Sequence, residues 1–168
     1  MDARRQLIEQ SIPFLSEVKN RTAGKDLESW LNDTYGAGTP LYDNLAKLIR
    51  AGVEDGWAAN VEVDGPHYRR SLIAAPSEEI HYFSITAVYM NSVTPYRGQY
   101  HAHPYGELNL VVPLDEGAQI AGPSGWQGPG WTAPAPGSHH YPEVRGGELI
   151  ALFYLPAGRI SYDVKPSA

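Results

Sequence analysis

The feature that most constrains this chain is a change of period near residue 57. Before it, apolar residues recur at helical spacing; after it, they come in short runs cut by Gly and Pro. Leu7, Ile8, Ile12, Leu15 and Val18 fall on one stripe, within which Pro13 predicts a kink or break. "KDLESWLND" places Leu27, Trp30 and Leu31 at i, i+3 and i+4, and "NDTYGAG" stops that helix. A third helix opens with Thr39 as N-cap and Pro40 at its first position. Leu41, Tyr42, Leu45, Leu48, Ile49 and Val53 form its apolar face. From Trp57 onward, "HYRRSLIA", "IHYFSITAVYM", "GQYHAH", "ELNLVVPL", "AQIAG", "GWTAP", "ELIALFYLP" and "RISYDV" each read as a strand, and "DGP", "DEG" and "GPSGWQGPG" as turns. Many short strands with tight turns imply a closed or double-sheet β architecture. Residues 1–56 are thus a helical segment packed on a β-barrel of residues 57–168, with no linker or repeat marking a second independent domain.

Composition removes several classes of function. There is no cysteine, which excludes disulfides, thiolate metal sites and cysteine nucleophiles. A formal net charge of -6 argues against nucleic-acid binding, which needs a Lys/Arg excess, but leaves room for a small anionic substrate. The N-terminal stretch "MDARRQLIEQSIPFL" is interrupted by charges, and no run approaches the roughly 18 apolar residues of a membrane span. A cytoplasmic protein without a membrane partner is expected. Exposed barrel edges and the helical arm favour a homodimer.

The chemistry concentrates in two short segments. Four of the six histidines stand in two pairs, His101 with His103 and His139 with His140. In a strand, residues i and i+2 face the same way about 7 Å apart, so His101 and His103 share a face, with Glu107 just beyond. Two imidazoles and a carboxylate can converge on one cation. With no thiolate available, Zn, Fe, Mn, Co and Ni are all compatible with such N/O ligands. Adjacent strand residues face opposite ways, so only one of His139 and His140 points inward if the segment is extended.

The same parity turns Asn109 and Val111 inward, with Tyr105 joining them if the turn permits. Asn109 is then placed to orient a ligand or substrate. Tyr96, Tyr100, Tyr105, Trp126, Trp131 and Tyr141 cluster around the motifs and suit a flat aromatic ligand. An inward arginine among Arg69, Arg70, Arg97 and Arg145 would clamp a carboxylate, and "YRR" allows at most one of Arg69 and Arg70 to do so.

"HAHPYGE" and the later "PGSHH" resemble the two motifs of the cupin superfamily. The resemblance implies a double-stranded β-helix, or jelly-roll barrel, with one divalent metal ion per chain. Carried over residue by residue, it assigns His101, His103 and Glu107 from the first motif and His140 from the second as metal ligands. The chain departs from the pattern at Gly98, which stands closer than usual, at Gly117, which stands later, and at Val144, where the second motif has Asn. A closer resemblance, carried by "LYDNLAKLIRAGVEDGWAANVEVDGPHYRRS" and "WTAPAPGSHHYPEVRGG" and extending from about Leu41 to Asp163, is to the 4-hydroxylaminobenzoate lyase family of bacterial nitroaromatic degradation. It implies conversion of a hydroxylamino-aromatic acid and water to 3,4-dihydroxybenzoate and ammonia, with the metal acting as Lewis acid. On that reading Arg69 or Arg97 holds the carboxylate, Asn109, Tyr100 and Trp131 contact the substrate, and Tyr105 or His139 delivers a proton beside Glu107. A cupin dioxygenase acting on catechol-type acids and a non-catalytic cupin that binds an aromatic acid are the alternatives.

Overall fold

The structure is a computed structural model, and it describes residues 2–92, the backbone of 96–97, and residues 100–162. Three helices come first: α1 (Ala3–Val18), α2 (Lys25–Tyr35) and α3 (Pro40–Asp55). The strands follow as β1 (Val61–Glu62), β2 (Tyr68–Ala74), β3 (Phe83–Asn91), β4 (Tyr96–Arg97), β5 (His101–His103), β6 (Leu108–Pro113), β7 (Gln119–Gly122), β8 (Gly125–Gln127), β9 (Gly130–Thr132), β10 (Ser138–His140), β11 (Glu143–Arg145) and β12 (Glu148–Pro156). Pro13 does not break α1. It forgoes one helical hydrogen bond, but Leu7, Phe14, Leu15 and Val18 are all buried on the sheet side and hold the helix through it. The strand expected at "RISYDV" forms only an isolated bridge, Ser161 with Ala102, among its described residues.

One six-stranded sheet runs β1-β2-β3-β12-β6-β9. A four-stranded sheet runs β4-β11-β7-β8, and β5 pairs with β10 alone. Every strand pair is antiparallel. The architecture is mainly β, a cupin-type jelly roll with an N-terminal helical segment.

β12, at the centre of the six-stranded sheet, is buried on both faces, which is why it reads as an unbroken apolar run rather than an alternating one. Its Ile150, Leu152 and Tyr154 join Ile85, Ala87, Leu110 and Trp131 against Leu7, Phe14, Leu45 and Ile49 of the helices. Its Leu149, Ala151 and Phe153 face the barrel interior, with Val88, Met90 and Val111 of the same sheet and Ile120 and Val144 of the four-stranded one. In β3 this settles which alternating set faces inward: Val88 does, while Ile85, Ala87 and Tyr89 face the helices.

Helix α2 meets the last strand of the large sheet through polar side chains. Asn32 accepts from Trp131 N at 2.8 Å and donates to Trp131 O at 2.9 Å. Glu28, one turn earlier and buried, accepts from Ala133 N at 2.9 Å and from Ser124 Oγ at 2.7 Å. These are the partners a neighbouring strand would have given.

Candidate metal centre

The register of β5 against β10 assembles the centre. His140 lies opposite His101, Ala102 opposite His139, and Ser138 opposite His103. Directly opposed residues in an antiparallel pair share a face, so His101, His103, Ser138 and His140 point one way. His139 points the other way and is exposed, with its Nδ1 against the Tyr100 hydroxyl. Two glycine turns set the spacing. Gly106 has φ +83, and a Cβ there would come within 2.7 Å of Ala23 Cβ, so the turn that brings Glu107 back under His103 requires glycine. Gly137, at φ +79, donates to His103 O at 2.8 Å and starts β10 in phase with β5.

One ligand atom from each of His101, His103, Glu107 and His140 lies within 4.8 Å of the others. His101 Nε2 and His103 Nε2 are 2.8 Å apart, and Glu107 Oε2 is 2.7 Å from His103 Nε2. Ligand atoms held about 2 Å from a shared ion stand roughly 3–4 Å from one another, so with small shifts of the side chains the cluster could hold a single divalent cation. The protonation pattern fits as well. Ser138 Oγ donates to Ala135 O at 2.5 Å, so toward His103 Nδ1, 3.0 Å away, the hydroxyl oxygen can only accept. That puts the His103 proton on Nδ1 and leaves the Nε2 lone pair facing the Glu107 carboxylate, a confrontation that a cation between them relieves. Burial, with His101 and His103 alongside, pushes His140 down to about 4, so it is a neutral imidazole at neutral pH. Burial works to raise the Glu107 carboxyl, but the facing imidazoles of His103, His101 and His140, when they carry a second proton, outweigh it and hold the group below its ordinary value. With its amide turned so that the oxygen accepts from Thr132 Oγ1 at 3.0 Å, Asn109 donates to Glu107 Oε1 at 3.2 Å. Asn109 thus steadies a candidate ligand.

His101 also lines a cavity of about 330 Å³ inside the barrel, together with Tyr68, Arg70, Val88, Phe153 and Tyr162. That volume suits one small molecule. The residues expected around a substrate are distributed differently. Arg69 lies on the helix side of the sheet, its guanidinium 4.2 Å from the centre of the Tyr89 ring, because its neighbour Arg70 takes the inward parity. Trp131 is fully buried on the helix side, 5.2 Å from Phe14, with Nε1 donating to Tyr35 O. Its register partner is Leu110, and parity gives the barrel interior to Thr132 instead. Tyr105 sits in the turn after β5 and is 55% exposed, outside the cavity. Tyr100 stacks edge-on with Tyr141 at 4.8 Å beside the outward His139. Arg145 lies over Trp126 at 4.2 Å and holds Gln119 on the surface. The Arg97 side chain falls outside the described residues. Sequence reasoning missed Tyr68, Ser138 and Tyr162. Ser138 was legible, since it shares parity with His140 in "PGSHH".

No helix among the described residues is long and apolar enough to cross a membrane. A family profile described as PnbB, 4-hydroxylaminobenzoate lyase, matches residues 9–162. A 4-hydroxylaminobenzoate lyase of Nocardioides sp. (strain LMS-CY) is 71% identical over 168 residues, spanning 100% of this chain and 99% of that protein. One from Pseudomonas putida is 58% identical over 171 residues, spanning 97% of each. A solved structure from work on the DMSP lyases RdDddP and RnDddQII covers 95% of this chain and 96% of its own at 16% identity, with a TM-score of 0.45. The profile begins within the first helix and ends at Tyr162, which lines the cavity, and the two lyases match over 97% or more of each chain: the chain belongs to the 4-hydroxylaminobenzoate lyase family.

Proposed function

We propose that this chain converts 4-hydroxylaminobenzoate and water to 3,4-dihydroxybenzoate and ammonia, using a divalent cation held by His101, His103, Glu107 and His140. The observation that carries the reading is that His101 belongs both to the four-donor cluster and to the wall of a substrate-sized cavity. The reaction balances without an external oxidant. The N–O and C–N bonds break, two ring C–O bonds form, a ring proton is lost, and the two electrons that nitrogen gains come from the ring. A cation at this centre would supply Lewis acidity toward the N–O bond and make water more acidic.

The chain's own groups do the rest. The apolar walls, Val88 and Phe153 among them, limit bulk water around the arene. Burial raises the Tyr68 phenol to about 12 and raises that of Tyr162 as well. Both therefore stay protonated at neutral pH, as hydrogen-bond donors beside His101. In this reading Tyr68 takes the proton-delivering role that sequence alone gave to Tyr105 or His139, while the Tyr162 hydroxyl stays bound to Arg70. Asn109 and Ser138 hold Glu107 and His103 in their donor orientations. A homodimer in the cytoplasm accompanies the proposal.

The test is an anaerobic incubation of metal-replete protein with 4-hydroxylaminobenzoate, following ammonia and 3,4-dihydroxybenzoate together. Equal amounts of both, without O2 and lost on chelation, are expected. Release of an aminophenol without ammonia, or a requirement for O2, would overturn the reading.

A further inference from the structure

The wall of the cavity carries a cation, Arg70. Arg70 faces inward on β2 because it shares parity with Tyr68 and Leu72, which also line the cavity. Its guanidinium lies 5.1 Å from the centre of the Tyr162 ring, and Nη1 donates to the Tyr162 hydroxyl. The Tyr162 ring in turn meets the His101 ring edge-on at 5.9 Å. One aromatic ring therefore separates the arginine from the donor cluster. A guanidinium carries five N–H donors in a planar fork, more than its bonds with the Tyr162 and Tyr68 phenols use. In a chain of net charge -6, an anionic ligand entering an apolar cavity depends on such a local cation.

We propose that Arg70 is the carboxylate-recognising residue and that Tyr162 is its positioning residue, so that the site selects aromatic acids bearing the reacting nitrogen para to the carboxylate. The inference rests on the lyase reading for the identity of the reacting group, but not for the recognition of the acid. On this proposal an arene in the cavity puts its carboxylate at Arg70 and its para substituent toward His101, both of which line the cavity. A meta arrangement turns that substituent away from His101. Tyr162 fixes the guanidinium plane through its hydroxyl, which organises the fork before the ligand arrives.

Two measurements test this on the full-length protein. The first is the ratio of kcat/KM for 4-hydroxylaminobenzoate to that for N-phenylhydroxylamine, which lacks the carboxylate. Arg70→Ala should lower the ratio by about 100-fold, and Arg70→Lys, which keeps the charge without the fork, should restore only part of it. Tyr162→Phe keeps the ring and removes the hydroxyl. It should raise KM for the acid several-fold while leaving kcat nearly unchanged. The second measurement is calorimetric binding of 4-hydroxybenzoate against phenol, which needs no turnover. Arg70→Ala should weaken binding of the acid by a similar factor. A parallel fall for both partners in each pair, in variants that keep the native circular dichroism spectrum, would overturn the assignment. If the wild-type protein turns over neither hydroxylamine yet binds the acid through Arg70, the recognition proposal stands and the lyase reading fails.

Discussion

The two faces of the six-stranded sheet are made by the same strands and do opposite work. The face toward the helices is aromatic and aliphatic, with Trp131, Tyr154 and Phe14 meeting edge-on or tilted at 4.9–6.2 Å. Polar groups on it make structural bonds, such as Tyr154 with Ser11 at 2.8 Å and Tyr42 with Val111 O at 2.5 Å. The face toward the barrel interior carries Arg70, Asn109 and Thr132, and opens on the cavity beside the donor cluster. Neighbours in sequence are divided between the two. Arg69 and Arg70, Leu108 and Asn109, Trp131 and Thr132 each put one residue into packing and the next into the site. Stability and chemistry are therefore separable by parity, and a single substitution should reach one without the other.

The largest effect should come from the helix side. Trp131→Ala removes a fully buried indole and should cost about 3–5 kcal/mol of unfolding free energy. Metal content per folded chain should be unchanged at low temperature; elemental analysis showing lost metal in protein that is still folded would break the separation. On the other face, Glu107→Gln should lower metal affinity and turnover by at least about 100-fold, because it removes a ligand charge, while the metal-free variant keeps the native circular dichroism spectrum. Ser138→Ala frees the His103 tautomer and should weaken metal binding by roughly 10- to 100-fold, as read by competition with a chelating dye.

A pH experiment sharpens the contrast at the alkaline end. Burial raises Tyr42 to about 12 and raises Tyr154 as well. A phenol whose folded value lies above its unfolded one near 10 contributes stability that is complete below pH 10 and lost as pH rises through 12. At pH 11 the Tyr42 share should be about 1 kcal/mol, measured as the part of the alkaline fall in urea midpoint that Tyr42→Phe abolishes. The smallest effect is expected at Tyr105, where Tyr→Phe should change kcat/KM by less than about 2-fold, given an exposed phenol outside the cavity. A larger loss would return Tyr105 to the chemistry.

How much of this was legible in the sequence follows from where period 2 can be anchored. His101 and His103 define their own phase, whereas parity left His139 and His140 open and only the resemblance to the cupin motifs named His140; the structure brings the four side chains together. Arg69 and Arg70 have no such anchor. They sit on a strand whose register shifts between Leu72 and Ala74, and adjacency alone leaves the choice of face open. Trp131 was misleading because aromatic residues near a motif suggest a pocket wall, whereas its parity follows from pairing with Leu110. Tyr162 lies in a stretch that forms no strand through Tyr162, where periodicity carries no information. The helices were legible because their apolar stripes are long, and Pro13 misled because local propensity yields to a buried face.

The bonds from Glu28 and Asn32 to β9 also bear on how this molecule behaves in a crowd. A β-sheet ends in a row of unpaired amides and carbonyls that can template another chain, the first step of fibril growth. At one end of the large sheet the strand is only two residues long, Val61–Glu62, too short to hold a newcomer in register. At the other, a single helical turn has filled the sockets around Trp131 and Ala133 from within the same polypeptide. The large sheet is thus blocked along β9, and α2 acts as a molecular stopper as well as a wall of the core.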